Sequence, residues 1–486
     1  LQQPQAALLI HGMAGVGKTT LAKGFLHWMH DTNGLNPELP NGGVFWFAFD
    51  EIRSVEYVLN QLVDTLFGTN ARAAALEEKL TALTQTLHAQ PFLLVWDNFE
   101  SAAGIAGTAV SALLPDNDRQ LLQTWLKRLR GGKTKVLITS RAPENWLTTQ
   151  TCYRLPLSGL QGEELWEYCN AVVRDLGLRI ERKQDDFKAL IEELDGNPLA
   201  IQTILLRLGE RSAADLLAEL KQQFVGLEGD DSTKRIHAAL NVFDQGLPES
   251  FSPILQLIGL HERYVDQRIL EMMLKTAEDQ AALAELADCF SVLETAGLLH
   301  GQGQNIYRMH PALNNHLRQQ QPASETRQRA FVDFMGHFAE HLGPKELHEQ
   351  RVPFALYGGN SHQALALATQ WNIAQAQIAL TQSLAFYAQN TRDYVEARRL
   401  FEELAAHQQQ VQDAKGEAAA YHQLGRIAEE QRDYEAAERW YRQSLAIEEK
   451  QGNEHGAAST YHQLGRIAEE QHDYEAAERW YRQSLA

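Results

Sequence analysis

Hydrophobic and polar positions change period several times along this chain. Over residues 1–157, short apolar runs recur: AALLI from Ala6, VFWFAF from Val44, FLLVW from Phe92, KVLIT from Lys135 and CYRLPL from Cys152. Each is a short apolar run of β type. Between them, SVEYVLNQLVDTLFG from Ser54 and ALEEKLTALTQTLHA from Ala75 carry apolar residues at helical spacing. The alternation predicts an α/β domain with a parallel sheet, these helices lying on its faces.

From residue 158 the strand signals stop. Residues 158–232 read as a small all-α domain that includes GNPLAIQTILLRLGE, with Pro198 at a first helical turn. Residues 233–322 are mostly helical but close on AGLLHGQGQNIYRMHP, two short β-type runs around a Gly-rich turn, the pattern of a winged helix. A helical connector is expected over 323–390.

The tail, 391–486, repeats itself. YHQLGRIAEEQRDYEAAERWYRQSLA from Tyr421 recurs 40 residues later from Tyr461 with Arg432 replaced by His472 as the one change, and RDYVEARRLFEELA from Arg392 is a weaker copy. Tyr421, Leu424, Gly425 and Ala428 share one helical face, and Tyr434, Ala437, Tyr441 and Leu445 share another. The unit resembles a tetratricopeptide repeat stretched beyond the common period of about 34 residues, which predicts an α-solenoid whose surface binds a protein or peptide ligand. Leu1 in place of Met and Ala486 inside a repeat read as the ends of a segment from a longer protein, with more repeats to follow.

Composition narrows the function classes. A formal net charge of −19 opposes a nucleic-acid backbone, so nucleic acid is not expected as the main ligand. No apolar run approaches the roughly 20 residues of a membrane span. Cys152, Cys169 and Cys289 show no metal or redox spacing, which suits a reducing cytoplasmic setting.

GMAGVGKT, Gly12 to Thr19, fits G-x-x-x-x-G-K-[ST] between a strand signal and a helix signal. Gly12, Met13, Ala14, Gly15, Val16, Gly17, Lys18, Thr19 and Thr20 are therefore the candidate phosphate cradle. Lys18 brings charge to the β/γ-phosphates, and Thr19 with Asp97 at the end of FLLVW would hold Mg²⁺.

The ordered set GMAGVGKTT, LLVWDN, LITSR, GNPLA and YRMHP, over about residues 6–320, resembles the NB-ARC class of the STAND signal-transducing NTPases, a group in which tetratricopeptide sensors are usual. The resemblance implies ATP/ADP as ligand and Arg141 as the arginine near the γ-phosphate. It further implies Pro198 packed on the nucleotide and His310 reaching the ADP β-phosphate. It also implies a homo-oligomer in the ATP state, a bacterial signalling or defence setting and an effector domain outside this segment. Two positions depart from the pattern. Pro311 stands where an aspartate is usual after the histidine, and Asn98 stands where an acid would activate water, so hydrolysis is expected to be slow unless Glu100 substitutes. The expected activity is a regulatory ATP hydrolase; an ATP-gated transcription regulator and a scaffold with a structural nucleotide are the alternatives.

Overall fold

A computed structural model describes residues 4–50, 52–68, 71, 74–105, 110, 112–178, 184–224 and 231–485, with no side chain described for 231–233. Leu1 and Ala486 thus lie outside the described residues. The chain divides into two compact units. One is Leu1–Ile52 with Thr84–Phe331, the other Arg53–Leu83 with Val332–Ala486.

The first unit opens with β1 (Ala7–His11), α1 (Lys18–Asp31) and β2 (Val44–Ala48). The chain passes through α2 (Val55–Phe67) and the start of α3 (Leu76–Ala89) in the second unit, then returns to β3 (Leu93–Asp97). Next come α4 (Glu100–Ala103), α5 (Asp116–Leu129), β4 (Lys135–Ser140) and β5 (Cys152–Pro156). The five strands pair in parallel, as the apolar runs predict, and in the order β2-β3-β4-β1-β5. All five residues of β3 are buried, which is why it reads as an unbroken apolar run and not as an alternation. Trp96 from β3 packs against Phe49, Phe99 and Trp125, with ring centroids 5.4, 5.3 and 6.4 Å away.

Helices α6 (Gly162–Asp175), α7 (Asp185–Glu193), α8 (Pro198–Leu205), α9 (Ala213–Phe224) and α10 (Asp231–Gln245) follow. They bury a common core that includes Trp166, Phe187, Ile201 and Leu216. Beyond them lie α11 (Ser252–Leu260), β6 (Tyr264–Asp266), α12 (Gln267–Thr276), α13 (Gln280–Thr295), β7 (Leu299–Gly301), β8 (Ile306–Met309) and α14 (Pro311–Gln320). The antiparallel sheet β6-β8-β7 with its helices has the winged-helix form expected from the Gly-rich hairpin. Cys152, Cys169 and Cys289 are buried free thiols.

The second unit runs through α15 (Glu325–Leu342), α16 (Leu347–Gln370), α17 (Ala374–Asn390), α18 (Tyr394–Gln410), α19 (Ala414–Glu430), α20 (Tyr434–Gln451), α21 (Glu454–Glu470) and α22 (Tyr474–Leu485). The 40-residue repeat resolves into pairs of helices whose turns recur every 20 residues. Each turn passes through one left-handed residue: Asn372, Arg392, Gln412, Arg432, Gly452 and His472. A non-glycine residue pays roughly 1–2 kcal/mol for that conformation. After all but Asn372, which Ile373 follows without a side-chain cap, the next residue offsets part of it by capping the following helix: Asp393, Asp413, Asp433, Asn453 and Asp473 accept from the backbone N–H three positions on. Gly425 and Gly465 meet the rings of Tyr441 and Tyr481, where an added Cβ would come to 2.6 Å of ring carbons.

One expectation fails. The apolar face of α2, with Val55, Val58, Leu59, Leu62 and Val63 buried, belongs to the second unit and not to the sheet. Helical periodicity shows that a face is covered but not what covers it.

Candidate functional site

Strand order builds the site. β4 lies between β3 and β1, so the ends of three adjacent strands deliver Asp97, Arg141 and the loop after β1 to one edge of the sheet. Carboxyl ends of parallel strands are where such folds bind ligands.

Residues Gly12–Thr20 turn from β1 into α1. Gly15 and Gly17 take φ of 71° and 95°, and Gly17 is the N-cap of α1. That left-handed backbone is open to glycine at little cost and turns backbone N–H groups inward, as in an anion nest. Lys18 Nζ donates to the carbonyls of Gly12 and Met13, both at 2.8 Å. Burial first, with the charge of Arg141 adding, brings its pKa down to about 8, against the pull of Glu100 and Asp97. Thr20 is exposed and Val16 buried.

Thr19 Oγ1 donates to Asp97 Oδ1 at 2.8 Å. The same oxygen accepts from Thr139 Oγ1 at 2.5 Å, while Asp97 Oδ2 is buried with no hydrogen-bond partner among the described residues. A buried carboxylate oxygen left unpaired is costly, and a hard cation beside a threonine hydroxyl is the ligand that donor set fits. Thr139 had no sequence signal of its own; β4's central place brings it to Asp97.

Arg141 forms an ion pair with Glu100, Nε to Oε1 at 2.9 Å, and its backbone N–H donates to Glu100 Oε2 at 3.1 Å. Glu100 is thus committed to the arginine. Asn98 has φ 55° and donates from Nδ2 to Asp50 Oδ2 at 3.0 Å. It turns to a carboxylate at the end of β2 that sequence spacing did not single out.

Two further segments converge on the loop. Asn197 accepts from Ala200 N as the cap of α8 and donates from Nδ2 to Ala14 O at 2.9 Å. An added Cβ on Gly15 would meet Leu199 Cβ at 2.9 Å, so α8 touches the loop through Asn197 and Leu199. Pro198 occupies the first helical position, its carbonyl accepting from Tyr168. His310 caps α14, accepting from Ala312 N at its Nδ1, and Pro311 is the first helical residue. Because Nδ1 accepts, the ring hydrogen sits on Nε2. Burial first, then the charges of Arg141, His300, Lys18 and Arg308, pushes the His310 pKa down to about 3, so the ring is neutral. Lys23 on α1 is lowered by burial and by Arg308. Lys18, Lys23, Arg141 and Arg308 thus gather near the carboxylates Asp97 and Glu100.

Residues 6–175 match the NACHT domain family, and residues 375–450 and 457–486 match tetratricopeptide repeat families. The first repeat match begins inside α17. No curated protein sequence matches the chain. Among solved structures, the chain is similar to a Signal Transduction ATPase with Numerous Domains (STAND) protein with a tetratricopeptide repeat sensor from Pyrococcus horikoshii. Identity is 15%, over 99% of this chain and 80% of that one, with a TM-score of 0.44. The ORC2 protein of Aeropyrum pernix in ADPNP-ADP complexes is similar at 14% identity over 65% of this chain and 88% of that one, TM-score 0.29.

Proposed function

We propose that this chain, which carries a NACHT-type P-loop NTPase domain and C-terminal tetratricopeptide repeats, is an ATP/ADP-controlled switch. The domain assignment that goes with this reading is 1–157 for the NTPase, 158–232 for the small helical domain, 233–322 for the winged helix, 323–390 for the connector and 391–486 for the sensor array.

The observation that carries the reading is convergence. Asn197 from the helical segment bonds the phosphate loop, His310 from the winged-helix segment lies within the electrostatic reach of Lys18 and Arg141, and Arg141 is held by Glu100. ADP fits that state. Backbone N–H groups of Gly12–Thr20 and Lys18 would hold its phosphates, and the neutral His310 would donate from Nε2 to a phosphate oxygen. Thr19 and Asp97 would hold Mg²⁺, which when bound supplies charge neutralisation at the phosphates. A γ-phosphate would compete with Glu100 for Arg141, and the differential contact between the two nucleotide states is what a switch needs.

Turnover on this reading is slow. Asn98 cannot accept a proton and Glu100 is engaged by Arg141, so water activation waits on release of that pair. By resemblance, a partner on the repeats favours exchange, the ATP form assembles, and an effector outside this segment gives the output.

The test is to denature freshly purified protein and identify the released nucleotide and its stoichiometry by chromatography. ADP near one per chain is the expected result. Nucleotide-free protein that hydrolyses added ATP rapidly would overturn the switch.

A further inference from the structure

Residues 53–83 belong to the crossover between the parallel neighbours β2 and β3, yet they pack in the second unit. Three side-chain bonds fasten their first turns to the repeat array. Arg53 Nε donates to His362 Nε2 on α16 at 3.2 Å. Ser54 Oγ donates to Asp393 Oδ1 at 2.6 Å, and Asn60 Nδ2 donates to Arg392 O at 2.8 Å.

The middle contact is unusual within the array. Asp393 is the N-cap of α18 and Ser54 is the N-cap of α2, accepting from Tyr57 N. Two helix N-termini therefore meet on one carboxylate oxygen, which takes the Ser54 hydroxyl and the Glu396 N–H together. Only negative charge or an acceptor is favourable between two such ends. Asp393 is 8% exposed, whereas its counterparts Asp413, Asp433 and Asp473 cap their helices without being buried. Lys79 of α3 closes the arrangement, donating to Asn60 Oδ1 at 2.9 Å and pairing with Glu56 at 3.7 Å.

We propose that residues 53–83 are a clasp through which the repeat array controls nucleotide release, with the α17–α18 turn at Arg392–Asp393 as its seat. The inference rests on the switch reading above. The seat is a turn between two stacked helices, and a ligand that shifts α17 against α18 moves both bonding groups at once. The clasp transmits that shift along the chain to β2 and β3, whose ends carry Asp50 and Asp97. Contact with Tyr394 extends the seat into the next repeat: Arg392 Nη1 donates to Tyr394 OH, which donates to Glu430 Oε2 at 2.7 Å.

The experiment uses the full chain loaded with fluorescently labelled ADP. Asn60→Asp keeps the Lys79 partner and the helix but turns an oxygen toward Arg392 O in place of a donor; Ser54→Ala removes the hydroxyl from Asp393. Hydrogen exchange of amides 55–67 and the ADP release rate are read together, with circular dichroism as the fold control. Both variants are expected to raise exchange about tenfold and release at least fivefold at unchanged helicity, and Ser54→Thr to leave both near wild type. Unchanged exchange, or raised exchange with unchanged release from a protein that does retain ADP, overturns the clasp. A wild-type chain that retains no ADP overturns instead the switch reading beneath it.

Discussion

Arg141 and Glu100 hold each other twice, guanidinium Nε to carboxylate at 2.9 Å and backbone N–H to the second carboxylate oxygen at 3.1 Å. A phosphate that draws the guanidinium away therefore competes with the Glu100 carboxylate for it. Glu100→Gln weakens the competitor and is expected to raise affinity for a non-hydrolysable ATP analogue over ADP about tenfold, a typical coupling between states. Arg141→Ala should abolish that preference. Calorimetric titration of both nucleotides checks it, and equal affinities in wild type and both variants would remove the pair from the switch.

His310 does two jobs that substitution can separate. His310→Ala loses the α14 cap, at about 1 kcal/mol, together with the Nε2 donor. His310→Asn can cap from its side-chain oxygen but does not reach as far. The expected result is a melting temperature restored by Asn and an ADP release rate accelerated in both variants, measured by thermal denaturation and by chase of labelled ADP. Restored release in His310→Asn would show that the ring acts only as a cap.

Asn197 links α8 to the phosphate loop while capping its own helix. Asn197→Asp keeps an acceptor for Ala200 N but turns a carboxylate oxygen to Ala14 O. Nucleotide affinity should fall severalfold in both variants, and stability should fall too, by about 1 kcal/mol in Asn197→Ala, which loses the cap, and in Asn197→Asp through a buried carboxylate facing a carbonyl. Denaturant unfolding without nucleotide separates the two effects.

Gly425→Ala tests the repeat packing. In a free helix the change stabilises by about 1 kcal/mol, but here the new Cβ meets the Tyr441 ring at 2.6 Å. Overpacking of about 1–3 kcal/mol should win, lowering the melting temperature. A rise would mean that α19 and α20 can part without cost.

The clasp carries a pH signature. Burial first, with the charges of Glu396 and Glu56, pushes Asp393 from its usual 3.8 up to about 7, against the lowering by the Ser54 hydroxyl and the Glu396 N–H. Between those values the folded state holds a proton that the unfolded state has released, so stability from this group falls as pH rises through about 4 to 7. His362 opposes it. Burial and the charges of Arg53 and Arg399 hold its ring well below 6.5, so its contribution rises with pH in the window below 6.5. The clean measurement is the stability difference between wild type and Asp393→Asn, which should shrink steadily from pH 4 to 7. A flat difference would contradict the raised carboxyl.

Much of this protein is legible without coordinates because local rules dominate it. The run GMAGVGKTT needs left-handed glycines before a helix, and a strand and a helix signal flank it; Asp97 ends an unbroken apolar run; the 40-residue repeat states its own register. Lys18, Thr19, Asp97, Arg141, Pro198 and His310 could therefore be named from spacing and resemblance alone. Tertiary structure decided which groups face one another. Strand order, set by long-range pairing, put β4 between β3 and β1 and so brought Thr139 to Asp97 and Glu100 to Arg141. It gave Asn197 the carbonyl of Ala14, and Asn98 the carboxylate of Asp50. Most plainly, it took α2, whose apolar face fits a sheet or a solenoid equally well, and seated its cap on Asp393, 339 residues along the chain. Burial is non-directional and periodicity records only that a face is covered; the choice of partner is made by shape and by hydrogen bonds between distant segments.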